Sequence, residues 1–190
     1  MLDLIRVTKT FHPGTVNEKR ALTGVNLHLD DGDFVTVIGG NGAGKSTTLN
    51  AIAGTFPIDG GQILIDGVDI SRLPEYKRAK YIGRVFQDPR MGTAADMEII
   101  ENLALAARRG KRPTLRWGIS AKERAAYMEM LADFDLGLED RLSTKVGLLS
   151  GGQRQALTLL MATLAEPKLL LLDEHTAALD PKTAAKVLSL

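Results

Sequence analysis

Residues 39–46 read Gly39-Gly40-Asn41-Gly42-Ala43-Gly44-Lys45-Ser46, with Thr47 next, and this stretch decides how the rest of the chain is read. It has the form G-x-x-x-x-G-K-S. Just upstream, Phe34 to Ile38 is apolar and largely β-branched, which predicts a strand; from Gly44 to about Gly54 the composition predicts a helix. Between a strand and a helix, glycines let successive backbone N–H groups converge on phosphate oxygens with no Cβ in the way. The amino end of the helix adds a partial positive charge. In such a loop Lys45 bridges the β- and γ-phosphates and Ser46 ligates Mg²⁺.

Two further stretches bear on the same chemistry. Leu169-Leu170-Leu171-Leu172-Asp173-Glu174 predicts a buried strand with two carboxylates at its C-terminal end, where ligands bind in parallel sheets. Asp173 is then placed to hold Mg²⁺, and Glu174 to orient or deprotonate an attacking water. Leu149-Ser150-Gly151-Gly152-Gln153 puts a capping serine before a helix whose first N–H groups are left open by two glycines. That end also favours an anion. Two anion sites in one small domain make sense if each completes the other across a head-to-tail dimer.

Working outward, residues 2–7, Gly24 to Leu29, Ile63 to Ile65 and Ile82 to Phe86 predict strands, with a turn at Asp30-Asp31-Gly32-Asp33. From Asp96 to Leu136 the pattern turns helical. Ala121 to Phe134 predicts a helix with an apolar stripe at Ala125, Met128, Leu131 and Ala132, and Ser120 with Glu123 predicts a capping box at its start. A further helix is expected after Leu149 and another from about Pro181. Alternating strands and helices predict an α/β fold with a largely parallel sheet and a helical insertion.

The bulk properties set limits. At 190 residues, 44% hydrophobic and 25% charged, the chain suits one soluble domain with a sizeable core. A net charge of +1 gives no broad electrostatic case for nucleic acid, and the lack of cysteine excludes disulfides and thiolate metal sites. No stretch approaches the roughly 20 apolar residues that span a bilayer, so in a membrane process other chains must do the spanning.

With these motifs in order, the sequence resembles the ABC ATPase family over its whole length. Gly39 to Ser46 resembles the Walker A motif, Leu149 to Gln153 the family signature, and Leu169 to Glu174 the Walker B motif. Gln87 matches the Q-loop glutamine, Ala178-Leu179-Asp180 the D-loop, and Phe11 the aromatic residue that stacks on adenine. The resemblance implies a P-loop NTPase core with an antiparallel β portion, a single domain over 1–190, and an inserted helical subdomain at about 88–148. It implies ATP and Mg²⁺ as cofactors, with Gly39, Gly40, Asn41, Gly42, Ala43, Gly44, Lys45, Ser46, Thr47, Phe11 and residues Ser150, Gly151, Gly152 and Gln153 binding nucleotide. Ser46, Gln87 and Asp173 are implied at the metal, and Glu174, Lys45 and Gln87 in catalysis. The implied partners are a second copy of the chain, transmembrane permease subunits and, indirectly, a solute-binding protein, with the chain peripheral on the cytoplasmic face of the membrane. No nucleic acid is expected.

Gly83-Arg84-Val85-Phe86-Gln87-Asp88-Pro89 and the run from Asp173 to Pro181 are similar to bacterial uptake systems, with amino-acid-type importers preferred. Against the family pattern, Gly40 and His175 replace prolines and Phe11 replaces a tyrosine. The chain ends at Leu190 before the family's switch histidine, and His12, His28 and His175 lie elsewhere, so the sequence is expected to be C-terminally incomplete. The basic run Arg108, Arg109, Lys111, Arg112 and Arg116, beside Trp117, is expected to be a solvated loop. Two other readings compete: a soluble ABC ATPase acting on nucleic acid or ribosomes, and a nucleotide-binding module without turnover.

Overall fold

A computed structural model describes residues 1–111 and 118–173. It divides into two compact units, Met1–Ile82 and Gly83 onward. The first is built on a four-stranded antiparallel sheet in the order β2-β1-β3-β4, with β1 at Leu2–Phe11, β2 at Lys19–Leu29, β3 at Gly60–Ile65 and β4 at Val68–Asp69. Alternation buries Leu2, Leu4, Ile63 and Ile65 on one face, and Val7 is buried beyond a register shift that follows Leu4. β1 pairs with β2 from Leu2 opposite Leu29 to Phe11 opposite Lys19, so the second strand starts five residues earlier than its sequence suggests. The helix α1, Lys45–Ala53, buries Ala51, Ile52 and Ala53 and ends on Gly54 at φ 85°.

Behind α1, the short helix α2, Glu75–Arg78, delivers a cation to the interior. Arg78 is 1% exposed. Its guanidinium donates to the carbonyls of Leu73 at 2.7 Å, Ala51 and Ile52 at 2.8 Å each, and Ser71 at 2.9 Å. A Cβ on Gly54 would lie 2.6 Å from Arg78 Nε, so glycine at this helix end serves both its left-handed φ and the arginine. Burial pulls the Arg78 pKa below its ordinary value. Its carbonyl partners supply the hydrogen bonds that make the cation's burial tolerable.

The second unit carries β5, Ile82–Val85, paired with β6, Leu169–Leu172, and the helices α3 (Ile99–Ala107), α4 (Ala121–Ala132) and α5 (Gly151–Thr163). Ile99, Leu103, Tyr127, Leu131, Leu138 and Leu157 are among its fully buried residues. Ser120 accepts from Glu123 N and the Glu123 carboxylate accepts from Ser120 N, the capping box its sequence predicts. The buried stripe differs from the expected one. Tyr127, Leu131, Phe134 and Leu138 are buried, whereas Met128 is 39% exposed. Spacings of four, three and four centre the stripe on the larger side chains, and the alanines expected in it remain outside. Asn102 is buried at the first turn of α3, where its amide accepts from Ala94 N at 2.8 Å and donates to the Glu98 carbonyl at 2.9 Å.

The parallel sheet is less extensive than expected. Among the described residues Phe34 to Ile38 joins no ladder, and Phe34 and Ile38 are 74% and 89% exposed. An apolar run is a necessary condition for a buried strand, but a ladder also needs a neighbour, and the sheet of the first unit is completed by β2, β1, β3 and β4 without it. In β6 only Leu171 is buried, its neighbours being half-buried. No helix among the described residues is long and apolar enough to cross a membrane. Of the expected loop from Arg108 to Gly118, residues 112–117 lie outside the described residues, as does the helix expected near Pro181.

Candidate functional site

The first unit holds the glycine-rich loop. Gly42 and Gly44 have φ of 82° and 91°, conformations open to glycine and costly for other residues. Gly44 has a second constraint, because a Cβ there would stand 3.0 Å from the Ala21 carbonyl oxygen. The loop closes through Ala43 N on the Gly40 carbonyl at 3.2 Å and passes into α1, whose first turn has no side-chain cap and no acidic residue. The amino end of α1 therefore keeps open N–H groups and a partial positive charge. Lys45 Nζ donates to the carbonyls of Gly39 and Gly40, so the ammonium is held over its own loop. Asn41, Gly42, Ala43 and Ser46 are exposed; Thr47 is half-buried.

Phe11, at the end of β1, is half-buried and packs edge-to-face on Phe56 with ring centroids 5.2 Å apart. Lys9 Nζ sits 5.6 Å from the Phe11 centroid and 5.5 Å from that of Phe56. It is fixed by the Pro57 carbonyl at 2.8 Å and Asp59 Oδ1 at 2.9 Å. The Thr10 N–H and then Lys9 hold the Asp59 carboxyl below the usual range. Phe11 is thus part of an aromatic pair with a cation beside it, neither a core residue nor an isolated surface ring.

The second unit carries the remaining candidates. Asp173 N donates to the Val85 carbonyl at 3.2 Å, which sets the C-terminal ends of β5 and β6 side by side. Gln87, exposed two residues beyond Val85, and Asp173 therefore leave the sheet at the same end. Asp88 caps a 3-10 turn at Pro89–Gly92 and bonds Arg90, and these bonds, with Arg154 nearby, hold its carboxyl below the usual range.

Ser150 caps α5. Its hydroxyl accepts from Gln153 N at 3.3 Å, while Gln153 Oε1 accepts from Ser150 N at 3.1 Å. Gln153 Nε2 also donates to the Leu136 carbonyl at 3.2 Å. A Cβ on Gly151 or on Gly152 would meet nothing within 4 Å, and neither has a positive φ. The chain's own fold makes no demand for glycine at either position. Glu174, His175 and the segment Ala178-Leu179-Asp180 lie outside the described residues.

Sequence reasoning missed Arg78 and Asn102, both of which hold main-chain segments in place. Arg78 sits in the polar run Glu75-Tyr76-Lys77-Arg78, with no periodicity to mark it as buried.

The profile of the ABC transporter family matches residues 22–177. The chain is 45% identical over 195 residues to the tyrosine transport ATP-binding protein of Clostridioides difficile, covering all of this chain and 75% of that protein. It is 35% identical to the methionine import ATP-binding protein MetN of Aliivibrio fischeri, covering all of this chain and 53% of that one. Among solved structures, a dimeric ATP-binding cassette in a post-hydrolysis state with ADP and inorganic phosphate superposes with a TM-score of 0.84 at 32% identity. That match covers all of this chain and 80% of that one. A nucleotide-free ATP-binding cassette superposes with a TM-score of 0.76 at 27% identity, covering 74% of its chain.

Proposed function

The chain belongs to the ABC transporter family, whose ATP-binding subunits hydrolyse ATP to power transport, and on that premise we propose that it drives uptake of an amino-acid-type solute. Its relatives for tyrosine transport and methionine import support that class of solute. The partners of this reading are a second copy of the chain and the permease subunits it serves, at the cytoplasmic face of the membrane.

The observation that carries the mechanism is the sterically free pair Gly151 and Gly152 at the open end of a capped helix. Ser150 accepts from Gln153 N, and the Ser150 carbonyl accepts from Arg154 N at 2.9 Å. The N–H groups of Gly151 and Gly152 remain, and they suit a phosphate brought by the P-loop of a second chain. Dimeric cassettes among its structural relatives support this pairing.

In the proposed cycle the amides of 39–47 and the Lys45 ammonium bind the phosphates, and Phe11 meets the base. Ser46 offers a hydroxyl, Gln87 an amide oxygen and Asp173 a carboxylate. These hard oxygen donors fit Mg²⁺. When bound, Mg²⁺ offsets the charge of the phosphate oxygens. Glu174 follows the metal-binding carboxylate directly and takes the proton of the attacking water. Two chains close around two nucleotides, hydrolysis reopens them, and the permease follows.

Gly151→Asp tests the helix-end reading. A carboxylate there favours the helix dipole, so the melting temperature should hold or rise, while its charge repels phosphate. ATP-dependent dimerisation, read by light scattering in the Glu174→Gln background, should vanish. Unchanged dimerisation refutes the role of this helix end. Glu174→Gln alone should slow hydrolysis by on the order of 10²–10⁴ and retain ATP binding. For the solute, proteoliposomes holding the permease and binding protein should show ATPase stimulated by an amino acid; stimulation by a sugar or polyamine instead refutes that class.

A further inference from the structure

We propose that Lys19 is a second cation of the nucleotide site, meeting the phosphate chain from β2 in addition to Lys45; this rests on the P-loop reading above. Lys19 opens β2 directly opposite Phe11 on β1. Opposed residues of an antiparallel pair project from the same face. One rung of the sheet thus carries both the aromatic ring and an ammonium. That ammonium reaches the loop: a Cβ on Gly42 would stand 4.0 Å from Lys19 Nζ.

The other charged groups nearby are committed elsewhere. Glu18 accepts from Gly14 N at 2.8 Å and pairs with Arg20 at 3.5 Å. Lys9 is fixed by Asp59 and the Pro57 carbonyl, and Lys45 by the carbonyls of Gly39 and Gly40. Among the described residues the Lys19 ammonium makes no hydrogen bond or ion pair, and residues 39–47 contain no carboxylate to attract it. Lys19 is also exposed, so its ammonium is open to a ligand. A charged, uncommitted ammonium beside an anion cradle has a polyanion as its complementary ligand. The carrier of that polyanion here is the nucleotide, since its base partner stands on the same rung.

The contact is solvated, so its effect is moderate, about three- to fivefold in affinity. Competition titrations against a fluorescent ATP analogue read it for ATP, ADP and adenosine with wild type, Lys19→Ala, Lys19→Arg and Lys45→Ala. Lys19→Ala should weaken ATP and ADP about three- to fivefold and leave adenosine unchanged, and Lys19→Arg should stay within twofold of wild type. The slope of log Kd against log salt should also fall for Lys19→Ala, because one cation is lost. Wild-type ATP affinity in Lys19→Ala overturns the proposal, as does an equal loss for adenosine, which marks a disturbed base site. If Lys45→Ala also keeps full affinity, the P-loop reading itself has failed; if Lys45→Ala fails to bind and Lys19→Ala binds normally, only Lys19 is misassigned.

Discussion

Replacing Arg78 by methionine should be among the most damaging single changes in the first unit, although this residue touches no nucleotide. Methionine fills much the same volume, so the loss is electrostatic. Four carbonyls, the buried ones of Ala51 and Ile52 and the half-buried ones of Ser71 and Leu73, lose their donor. Bonds to a charged donor contribute about 1.5–3 kcal/mol each, but burying the guanidinium costs several kcal/mol, so the gross sum overstates the net. Leaving a buried carbonyl unsatisfied costs about 1–3 kcal/mol, and two so orphaned lose a large part of a typical stability of roughly 5–15 kcal/mol. Two of the orphaned carbonyls end α1, so the P-loop helix should fray and ATP affinity should fall with stability.

Urea unfolding followed by circular dichroism measures the loss, and Gly54 makes it specific. Gly54→Ala combines strain at φ 85° with a Cβ 2.6 Å from Arg78 Nε. In the Arg78→Met background the flexible methionine can move aside, so the double variant should be less destabilised than the sum by about 1 kcal/mol or more. An Arg78→Met protein within about 1 kcal/mol of wild type, or strict additivity with Gly54→Ala, would refute the reasoning.

Other outcomes follow from the packing and the surface charges. Leu131→Ala should cost about 2–5 kcal/mol and Met128→Ala within about 1 kcal/mol, by the same unfolding assay, if the α4 stripe runs through Tyr127, Leu131 and Phe134. His28 Nδ1 lies 2.5 Å from Asp3 Oδ1, and that bond raises the imidazole pKa. The pair's stabilisation is therefore complete below the ordinary histidine value of about 6.5 and fades as pH rises through the higher folded value. An NMR titration should place the His28 midpoint above about 6.5, and Asp3→Asn should bring it down.

Local motifs were more legible in the sequence than long-range pairing. Lys45, Asp173 and Ser150 could be placed because each motif carries its own local geometry: a loop into a helix, a strand end, a cap. The capping box expected at Ser120 depends on residues three apart and formed, and the cap expected at Ser150 formed with Gln153 as its reciprocal partner. What escaped depends on distant segments. Arg78 is buried because α1 ends against it, which no local pattern encodes. Lys19 escaped because the adjacent charges Lys19 and Arg20 interrupt the alternation, so the strand was expected to begin at Gly24. On α4 the small alanines Ala125 and Ala132 satisfied a helical period without the bulk to fill a core, and the larger Tyr127 is buried instead.

The hold of Gly39 and Gly40 on the Lys45 ammonium also bears on how fast a nucleotide can be captured. Fixing a lysine stem forfeits up to about 1.5–2 kcal/mol of rotamer freedom. Here much of that freedom is already gone, because two carbonyls of the chain's own loop keep the ammonium in place. Capture then becomes a trade of oxygen partners at a stationary charge, with no search by a wandering side chain. Association should accordingly be governed by encounter with the loop, and differences between nucleotides should appear chiefly in how long each one stays.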